Sequence, residues 1–168
     1  MKVGDRPVDF TELDQHGNKV TLSECKLPTV LAFLNGLFDK TPDGSSRMTR
    51  LQREFVTQLQ KLKEKGLSVI VVSANYFSYN AQAFSQQIGS DLIVLDDSHN
   101  YTVAMDYSEV TDLVSMYRHH PIYLIDESFT ITYASEVQET QEQVVDRLLT
   151  QFARERVSVQ PSDSTKLS

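Results

Sequence analysis

Residues 28–34 read Pro-Thr-Val-Leu-Ala-Phe-Leu, and residues 67–73 read Leu-Ser-Val-Ile-Val-Val-Ser. Each stretch is a continuous run of apolar and β-branched residues, without the alternation of a strand that has one face in water. Strands of a parallel sheet are buried on both faces and read in this way. The two stretches therefore predict two buried strands of a parallel sheet, and they decide the fold class.

The residues between these two strands predict a long helix, from about Ser45 to Lys65. Asp43, Ser45 or Ser46 is expected to cap its first turn. Gly66 stands where the end of a helix commonly needs a left-handed residue. Strand, helix and strand together predict a right-handed βαβ unit. The apolar residues that recur at steps of three and four, and so share one face of the helix, are Met48, Leu51, Phe55, Leu59 and Leu62.

Further elements are predicted before and after this unit. Residues 8–14 and 19–23 alternate around a Gly-containing turn and predict a β-hairpin. A helix at 80–88 and a strand at 92–95 are expected next. Residues 99–117 are expected to be helical in their first part.

The C-terminal part predicts a final hairpin from residues 121–125 and 129–133, and a helix at 137–154. The residues that follow are aperiodic and contain Ser, Gln and Pro, which predicts a disordered tail over 157–168. One domain is then expected over residues 1–156. Its element order predicts a three-layer α/β fold with an N-terminal β-hairpin, a central mixed sheet and flanking helices.

The composition excludes several classes of function. Acidic residues number 23 and basic residues 16, which gives a net charge of −7. Such a surface repels phosphate backbones and anionic lipid heads, so nucleic acid and membranes are not expected partners. A single cysteine cannot form an intramolecular disulfide. Because no run is apolar enough for a signal peptide or a membrane span, a cytoplasmic location is expected.

This element order and several motifs resemble the peroxiredoxin-like (AhpC/TSA, redoxin) branch of the thioredoxin superfamily. Residues 3–23, which open with Val-Gly-Asp-Arg-Pro-Val-Asp-Phe-Thr, are similar to its N-terminal hairpin, and residues 30–33 to its first buried strand. Val-Ile-Val-Val-Ser at 69–73 and Pro-Ile-Tyr-Leu-Ile-Asp at 121–126 are similar to two later strands. The resemblance covers about residues 3–155 and implies a thioredoxin-like fold and antioxidant thiol chemistry.

The resemblance also locates the family's reactive loop. Its members carry T-x-x-C or C-x-x-C at the start of the helix that follows the first buried strand, where backbone N–H groups and the helix dipole stabilise a thiolate. The matching residues here are Thr41-Pro42-Asp43-Gly44, with Gly44 in the position of the reactive cysteine and Leu37 in that of a family proline. Glycine offers no sulfur to oxidise, and the charge of Asp43 opposes a thiolate. A redoxin without its reactive cysteine is therefore predicted.

Cys25 is the only thiol in the chain. It matches an apolar position of a family turn that packs inward, and a free cysteine behaves as a small hydrophobic residue. We therefore expect it to pack and not to react. The alternative is a displaced redox centre that uses an external thiol. Ser45 and Ser46 are interpreted as caps, because a serine nucleophile needs a histidine base within hydrogen-bond reach.

A binding surface is expected beside the degenerate loop. In the family a cis-proline opens the strand that faces this loop, and Pro121 occupies that position. A cis Pro121 would expose a backbone edge of the kind that thioredoxin-fold proteins use to bind extended peptides. The candidate binding residues are Phe38, Thr41, Asp43, Arg118, His120 and Pro121.

The sequence thus favours a redox-inactive redoxin that acts as a protein-binding or regulatory module and needs no cofactor. Its expected partner is a protein or peptide at the groove near Pro121, and a homodimer is a further expectation. The first alternative is an AhpC/TSA-type thiol peroxidase that uses Cys25. The second is a metal site, for which the candidate ligands are His119, His120, Asp39, Asp43 and Asp96.

Overall fold

The structure is a computed structural model that describes residues 1–34, 38–40, 46–48, 50–73, 86, 92–97, 102–107, 121–135 and 139–159. The strands are β1 (Thr11–Leu13), β2 (Lys19–Thr21), β3 (Thr29–Leu34), β4 (Phe38–Lys40), β5 (Ser46–Met48), β6 (Ser68–Ser73), β7 (Ile93–Asp96), β8 (Ile122–Ile125) and β9 (Ile131–Ala134). The helices are α1 (Arg50–Glu64), α2 (Thr102–Tyr107) and α3 (Gln141–Val159), and a 3-10 turn spans Leu22–Glu24.

The central sheet has the strand order β7-β6-β3-β8-β9. β3 runs parallel to β6, and β6 runs parallel to β7. β8 is antiparallel to β3, and β9 is antiparallel to β8. Every residue of β3 is buried, as expected for a strand with neighbours on both sides and layers on both faces. The mixed sheet, the βαβ unit and the final hairpin predicted from the sequence are confirmed.

The two faces of the sheet bury separate groups of side chains. Val30 and Ala32 of β3 belong to the core that lies under α1 and α3, together with Leu59. Leu31 and Phe33 point to the opposite face, where the core side chains contributed by the 3-10 turn and α2 are Leu22, Val103, Ala104 and Tyr107. Each fully buried apolar side chain contributes about 1.5–3 kcal/mol. Two such cores, one on each face, make the three predicted layers.

The helix α1 begins later than the sequence predicted. Residues 46–48 form β5, which pairs antiparallel with β4, and Ser46 is the register partner of Lys40. The backbone N–H and C=O groups of these residues form hydrogen bonds within this two-stranded ladder, so they are not available to a helix. The predicted start at Ser45 was therefore wrong, and Ser46 does not cap α1, which starts at Arg50.

The end of α1 agrees with the prediction. Gly66 has a φ of +99°. Its N–H donates to the Lys63 carbonyl at 3.0 Å, and the Leu67 N–H donates to the Leu62 carbonyl at 3.3 Å. This pair of bonds is a Schellman motif, which needs a left-handed residue at the position that Gly66 occupies.

The helix α3 is shifted towards the C-terminus relative to the predicted span of 137–154. The Gln143 N–H donates to Thr140 Oγ1 at 3.2 Å, and the Thr140 N–H donates to Gln143 Oε1 at 2.9 Å. This reciprocal capping box fixes the start of the helix at Gln141. Because α3 continues to Val159, residues 157–159 of the predicted tail are helical.

Two other predictions fall largely outside the described residues. Of the helix predicted at 80–88, the structure describes residue 86, which is helical. Of the tail predicted over 157–168, residues 160–168 are not described.

One outer edge of the sheet is covered by the residues that join β1 to β2. The side-chain amide of Gln15 donates from Nε2 to the Leu92 carbonyl at 2.7 Å and accepts at Oε1 from the Val94 N–H at 2.9 Å. Asp14 adds an antiparallel bridge to Leu95. The amide of Gln15 thus takes the place of a peptide group of a further strand and occupies the edge of β7, which would otherwise be open to another chain.

Candidate functional site at the carboxyl edge of the sheet

The carboxyl ends of β3, β6 and β7 meet at one edge of the central sheet. The strand registers pair Leu34 with Ser73 and Ser73 with Asp96. Pro121 reaches the same edge ahead of the antiparallel β8, where its carbonyl accepts a hydrogen bond from the Phe33 N–H at 3.0 Å. Ligands of open α/β sheets bind outside the carboxyl ends of the strands. We call this region, from Leu34 through Ser73 and Asp96 to Pro121, the carboxyl edge.

Two polar residues at the carboxyl edge are almost fully buried, Ser73 at 2% and Asp97 at 3% exposure. The Asp97 N–H donates to the Ser73 carbonyl at 3.0 Å. The carboxylate of Asp97 accepts from the Val103 N–H at 3.1 Å and from the Ala104 N–H at 2.8 Å. Asp97 therefore fastens the first turn of α2 to the end of β7.

The carboxylate of Asp97 lies in a poorly solvated environment. Burial raises the pKa of this carboxyl group, and hydrogen bonds from backbone N–H groups of α2 oppose that rise. The negative charge of Glu12 raises the pKa of Asp97 further. Because both carboxylate oxygens already bind backbone N–H groups, Asp97 has a structural role at this edge.

The hydroxyl group of Ser73 is different. It is buried, and it has no hydrogen-bond partner within the described part of the chain. Strand alternation places its side chain on the same face as those of Val69 and Val71, under α1 and α3. Asp96, its register partner, lies on that face too.

The candidate residues of the degenerate loop are only partly described. Phe38 lies in β4, four residues after the last residue of β3. Thr41–Gly44 and residues 118–120, which include Arg118, His119 and His120, lie outside the described residues. The peptide bond before Pro121 involves His120 and lies outside them as well.

Cys25 lies ahead of the amino end of β3, which is the end opposite to the carboxyl edge. It follows the 3-10 turn and stands four residues before Thr29, the first residue of β3. The Thr41–Gly44 segment follows the carboxyl end of the same strand. A six-residue strand is about 16 Å long between its terminal Cα atoms. Cys25 and the family's reactive position are therefore attached to opposite ends of β3.

The surroundings of Cys25 favour the protonated thiol. Its side chain is half-buried and packs against the core that contains Leu22. The thiol donates to the Thr21 carbonyl, with 3.2 Å between sulfur and oxygen. Burial raises the pKa of Cys25, and the negative charges of Asp9 and Glu24 raise it further. Reactive cysteines have the opposite property, a lowered pKa beside cations or helix N-termini.

The structure also brings forward residues that the sequence interpretation did not single out, namely Ser73, Asp97 and Gln15. A signal was present for two of them, since Ser73 and the pair Asp96-Asp97 each close a buried strand. The role of Gln15 depends on a contact with residues more than seventy positions away, for which the sequence carries no local sign.

The described residues contain no group of three or more His, Cys, Asp and Glu side chains arranged to hold a metal ion. None of their helices is long and apolar enough to cross a membrane.

The mixed sheet, its flanking helices and the placement of Pro121 beside the end of β3 define a thioredoxin-like protein. A sequence model of the Redoxin family matches residues 2–149, and the chain belongs to this family. No protein of curated function matches the sequence significantly.

Solved structures of thiol enzymes share the fold. Peroxidoxin BcpB from Mycobacterium tuberculosis is 16% identical, with a TM-score of 0.66 over 96% of this chain and 99% of that one. A putative thiol:disulfide interchange protein DsbE from Chlorobium tepidum is 17% identical, with a TM-score of 0.66 over 92% and 98%. A thiol peroxidase from Chromobacterium violaceum is 18% identical, with a TM-score of 0.64 over 92% and 89%. At these identities the likeness shows the fold alone.

Proposed function

We propose that this chain is a redoxin that has lost thiol chemistry and serves as a protein-binding or regulatory module. One observation carries the proposal, namely the placement of the only thiol, that of Cys25. It precedes β3, whereas the family's reactive position follows that strand, and it donates a hydrogen bond in its protonated form. The position that the family reserves for its cysteine is Gly44. A protein that has lost the reaction but kept the fold can still bind a partner protein, and binding is the simplest function consistent with both.

The chemistry of the family supports this reading. In a thiol peroxidase, a thiolate attacks one peroxide oxygen, the O–O bond breaks, and sulfur is oxidised to sulfenic acid while water or an alcohol leaves. The reaction requires a nucleophilic sulfur beside the donors that stabilise it. Glycine at position 44 supplies no sulfur, and Asp43 adds a negative charge next to it. None of the atoms that would be oxidised is present in the Thr41–Gly44 segment.

The proposed binding surface is the carboxyl edge. Pro121 is held beside the end of β3 by its bond from Phe33, and an extended peptide is the ligand that such an edge fits, because main-chain groups can pair with it. The net charge of −7 argues against nucleic acid and favours a partner without excess negative charge. The residues proposed to contact the partner are Phe38, Thr41, Asp43, Arg118, His120 and Pro121. We also propose that the protein works in the cytoplasm, where an unpaired thiol stays reduced.

Selection of peptides tests this surface directly. Extended decapeptides displayed on phage are selected for binding to the purified full chain. The selected peptides are then titrated into ¹⁵N-labelled protein. We expect the largest chemical-shift changes at the amides of Leu34, Ser73 and Ile122. Phe38→Ala should weaken binding by about 5- to 30-fold, as is common for a central aromatic contact.

Two variants serve as controls. Val157→Ala truncates an apolar side chain on α3 that is 75% exposed, and it should leave the affinity unchanged. Cys25→Ser should also bind normally. Selected peptides that perturb another face of the protein, or that lose affinity in Cys25→Ser, would refute the proposed surface, as would failure to select any peptide.

A further inference from the structure

The turn between β8 and β9 holds a bulky residue in a backbone conformation that favours glycine. Phe129 has a φ of +59°. Its N–H donates to the Asp126 carbonyl at 3.1 Å, and the Asp126 N–H donates to the Thr130 carbonyl at 2.9 Å. This pattern closes a four-residue turn and adds a bulge, and the residue at the position of Phe129 is usually glycine. A left-handed bulky residue is an outlier that needs a compensating contact.

That contact is with the N-terminal segment. The guanidinium carbon of Arg6 lies 5.4 Å from the centroid of the Phe129 ring, within the range of a cation–π interaction. The ring also packs, partly buried, against the core that contains Ile131. Phe129 therefore joins the core to an exposed arginine, which a glycine at this position would not do.

The residues next to Arg6 bond to the first residue of β9. The Gly4 N–H donates to the Ile131 carbonyl at 2.8 Å, and the Ile131 N–H donates to the Asp5 carbonyl at 2.9 Å. A small turn between Lys2 and Asp5 shapes this segment, with a bond of 3.1 Å from the Asp5 N–H to the Lys2 carbonyl. We call residues 2–6 the strap.

The strap bonds to Ile131, the first residue of a strand whose outer edge is well suited to pairing with another strand. β9 is the last strand of the sheet. Its sequence, Ile-Thr-Tyr-Ala, has no charge and no proline and consists mainly of residues that favour strands. An uncovered edge of this kind is a template for the same strand of a second copy of the chain.

We propose that Phe129 is kept in its disfavoured conformation because its ring clamps Arg6, and that this clamp holds the strap over β9 as a guard against pairing with a second copy of the chain. The clamp is independent of the binding function proposed for the carboxyl edge, since Phe129 lies in the turn that follows the opposite end of β8. The β7 edge is covered separately by Gln15 and Asp14.

Amide hydrogen exchange tests the clamp. The amides of Gly4 and Ile131 report on the two bonds of the strap, and the amide of Phe33, in the centre of the sheet, serves as a reference. Arg6→Ala should speed exchange at both strap amides by about two- to fivefold, as expected for an exposed cation–π contact. Exchange at Phe33 should not change. Arg154→Ala, which removes an exposed arginine of α3, is the matched control.

A double-mutant cycle separates the clamp from other effects of the same residues. Phe129→Gly relieves the strain of the turn but removes the ring, so it should also speed exchange at Gly4 and Ile131. In the Phe129→Gly background, Arg6→Ala should have no additional effect, because the interaction is already lost. Unchanged exchange in Arg6→Ala, or additive effects of the two changes, would overturn the clamp.

Sedimentation velocity over a range of protein concentrations tests the guard. Pairing through β9 requires an open strap, so the association constant should rise in proportion to the open population, by about two- to fivefold in Arg6→Ala and not in Arg154→Ala. Faster exchange at Ile131 without stronger self-association would show that the strap does not guard this edge. A peptide that binds at the carboxyl edge should leave both readouts unchanged, so failure of either proposal does not imply failure of the other.

Discussion

Cys25 and Thr21 are joined by a hydrogen bond in which the thiol donates to the backbone carbonyl, with 3.2 Å between sulfur and oxygen. A thiolate has no proton to donate, so this bond stabilises the protonated form. Burial acts in the same direction. The one sulfur that redox chemistry would need is thus held in its least nucleophilic state.

The ionisation of Cys25 should show this directly. The pKa of the folded thiol is raised by burial and by the charges of Asp9 and Glu24. The rate of alkylation by iodoacetamide as a function of pH should therefore have its midpoint at higher pH in the folded protein than in the protein unfolded in urea. A lower midpoint in the folded protein would contradict the structure.

The same shift affects stability. Because the folded pKa is above the unfolded one, the stabilisation by Cys25 is fully present below the ordinary thiol pKa and is lost as the pH rises through the folded value. Urea unfolding between neutral and alkaline pH should show this loss in the wild type. Cys25→Ala should lack it.

Asp97 should be essential for the attachment of α2. Asn at this position keeps one acceptor oxygen and places an NH₂ group against a backbone donor, since both carboxylate oxygens are used in the wild type. We expect Asp97→Asn to lower the free energy of unfolding by about 1–3 kcal/mol. Asp106→Asn, an exposed change on the same helix, should have almost no effect. Equal stability of Asp97→Asn and the wild type would show that these bonds contribute nothing.

The pH dependence of this variant gives a second check. The pKa of Asp97 is raised by burial, so its contribution to stability is greatest below the ordinary aspartate pKa and falls as the pH rises through the folded value. The deficit of Asp97→Asn should therefore grow as the solution is acidified. Denaturant unfolding at neutral pH and in mild acid measures it, and a deficit that shrinks in acid would reverse the expected sign.

Gln15 should hold the β7 edge through both ends of its amide. Gln15→Ala removes both bonds and should cost about 1–2 kcal/mol of unfolding free energy. Gln15→Glu keeps an acceptor for the Val94 N–H but sets a carboxylate against the Leu92 carbonyl. The glutamate variant should recover stability as it is protonated in acid, whereas the alanine variant should not. Identical pH profiles of the two variants would rule out the donor role of Nε2.

Much of the fold could be predicted because burial is visible in the sequence. Continuous apolar runs marked β3 and β6, and Gly66 marked the end of α1, since few other residues tolerate its φ of +99°. The start of α1 was misplaced because residues 46–48 pair with residues 38–40, a tertiary choice that periodicity does not reveal. The start of α3 differs from the predicted one because the reciprocal bonds between Thr140 and Gln143 fix the first turn at Gln141, whereas the apolar stripe does not define where the helix begins.

The candidate site was less accessible to prediction. The absence of a cysteine from Thr41–Gly44 follows from the sequence, and the placement of Cys25 at the other end of β3 follows from the strand order. The burial of Asp97 and the lack of a partner for the Ser73 hydroxyl among the described residues do not, because they depend on how α2 and the neighbouring strands pack. The contact between Phe129 and Arg6 could not be predicted either, since nothing in the local sequence indicates it.

The central claim is that this redoxin has no working thiol, and the initial rate of peroxide consumption tests it most directly. Hydrogen peroxide is supplied with either thioredoxin and its reductase or glutathione as the reductant. The wild type and Cys25→Ser should consume peroxide at the same rate, equal to the rate without protein. Turnover by the wild type that is lost in Cys25→Ser would contradict the claim and establish Cys25 as a redox centre.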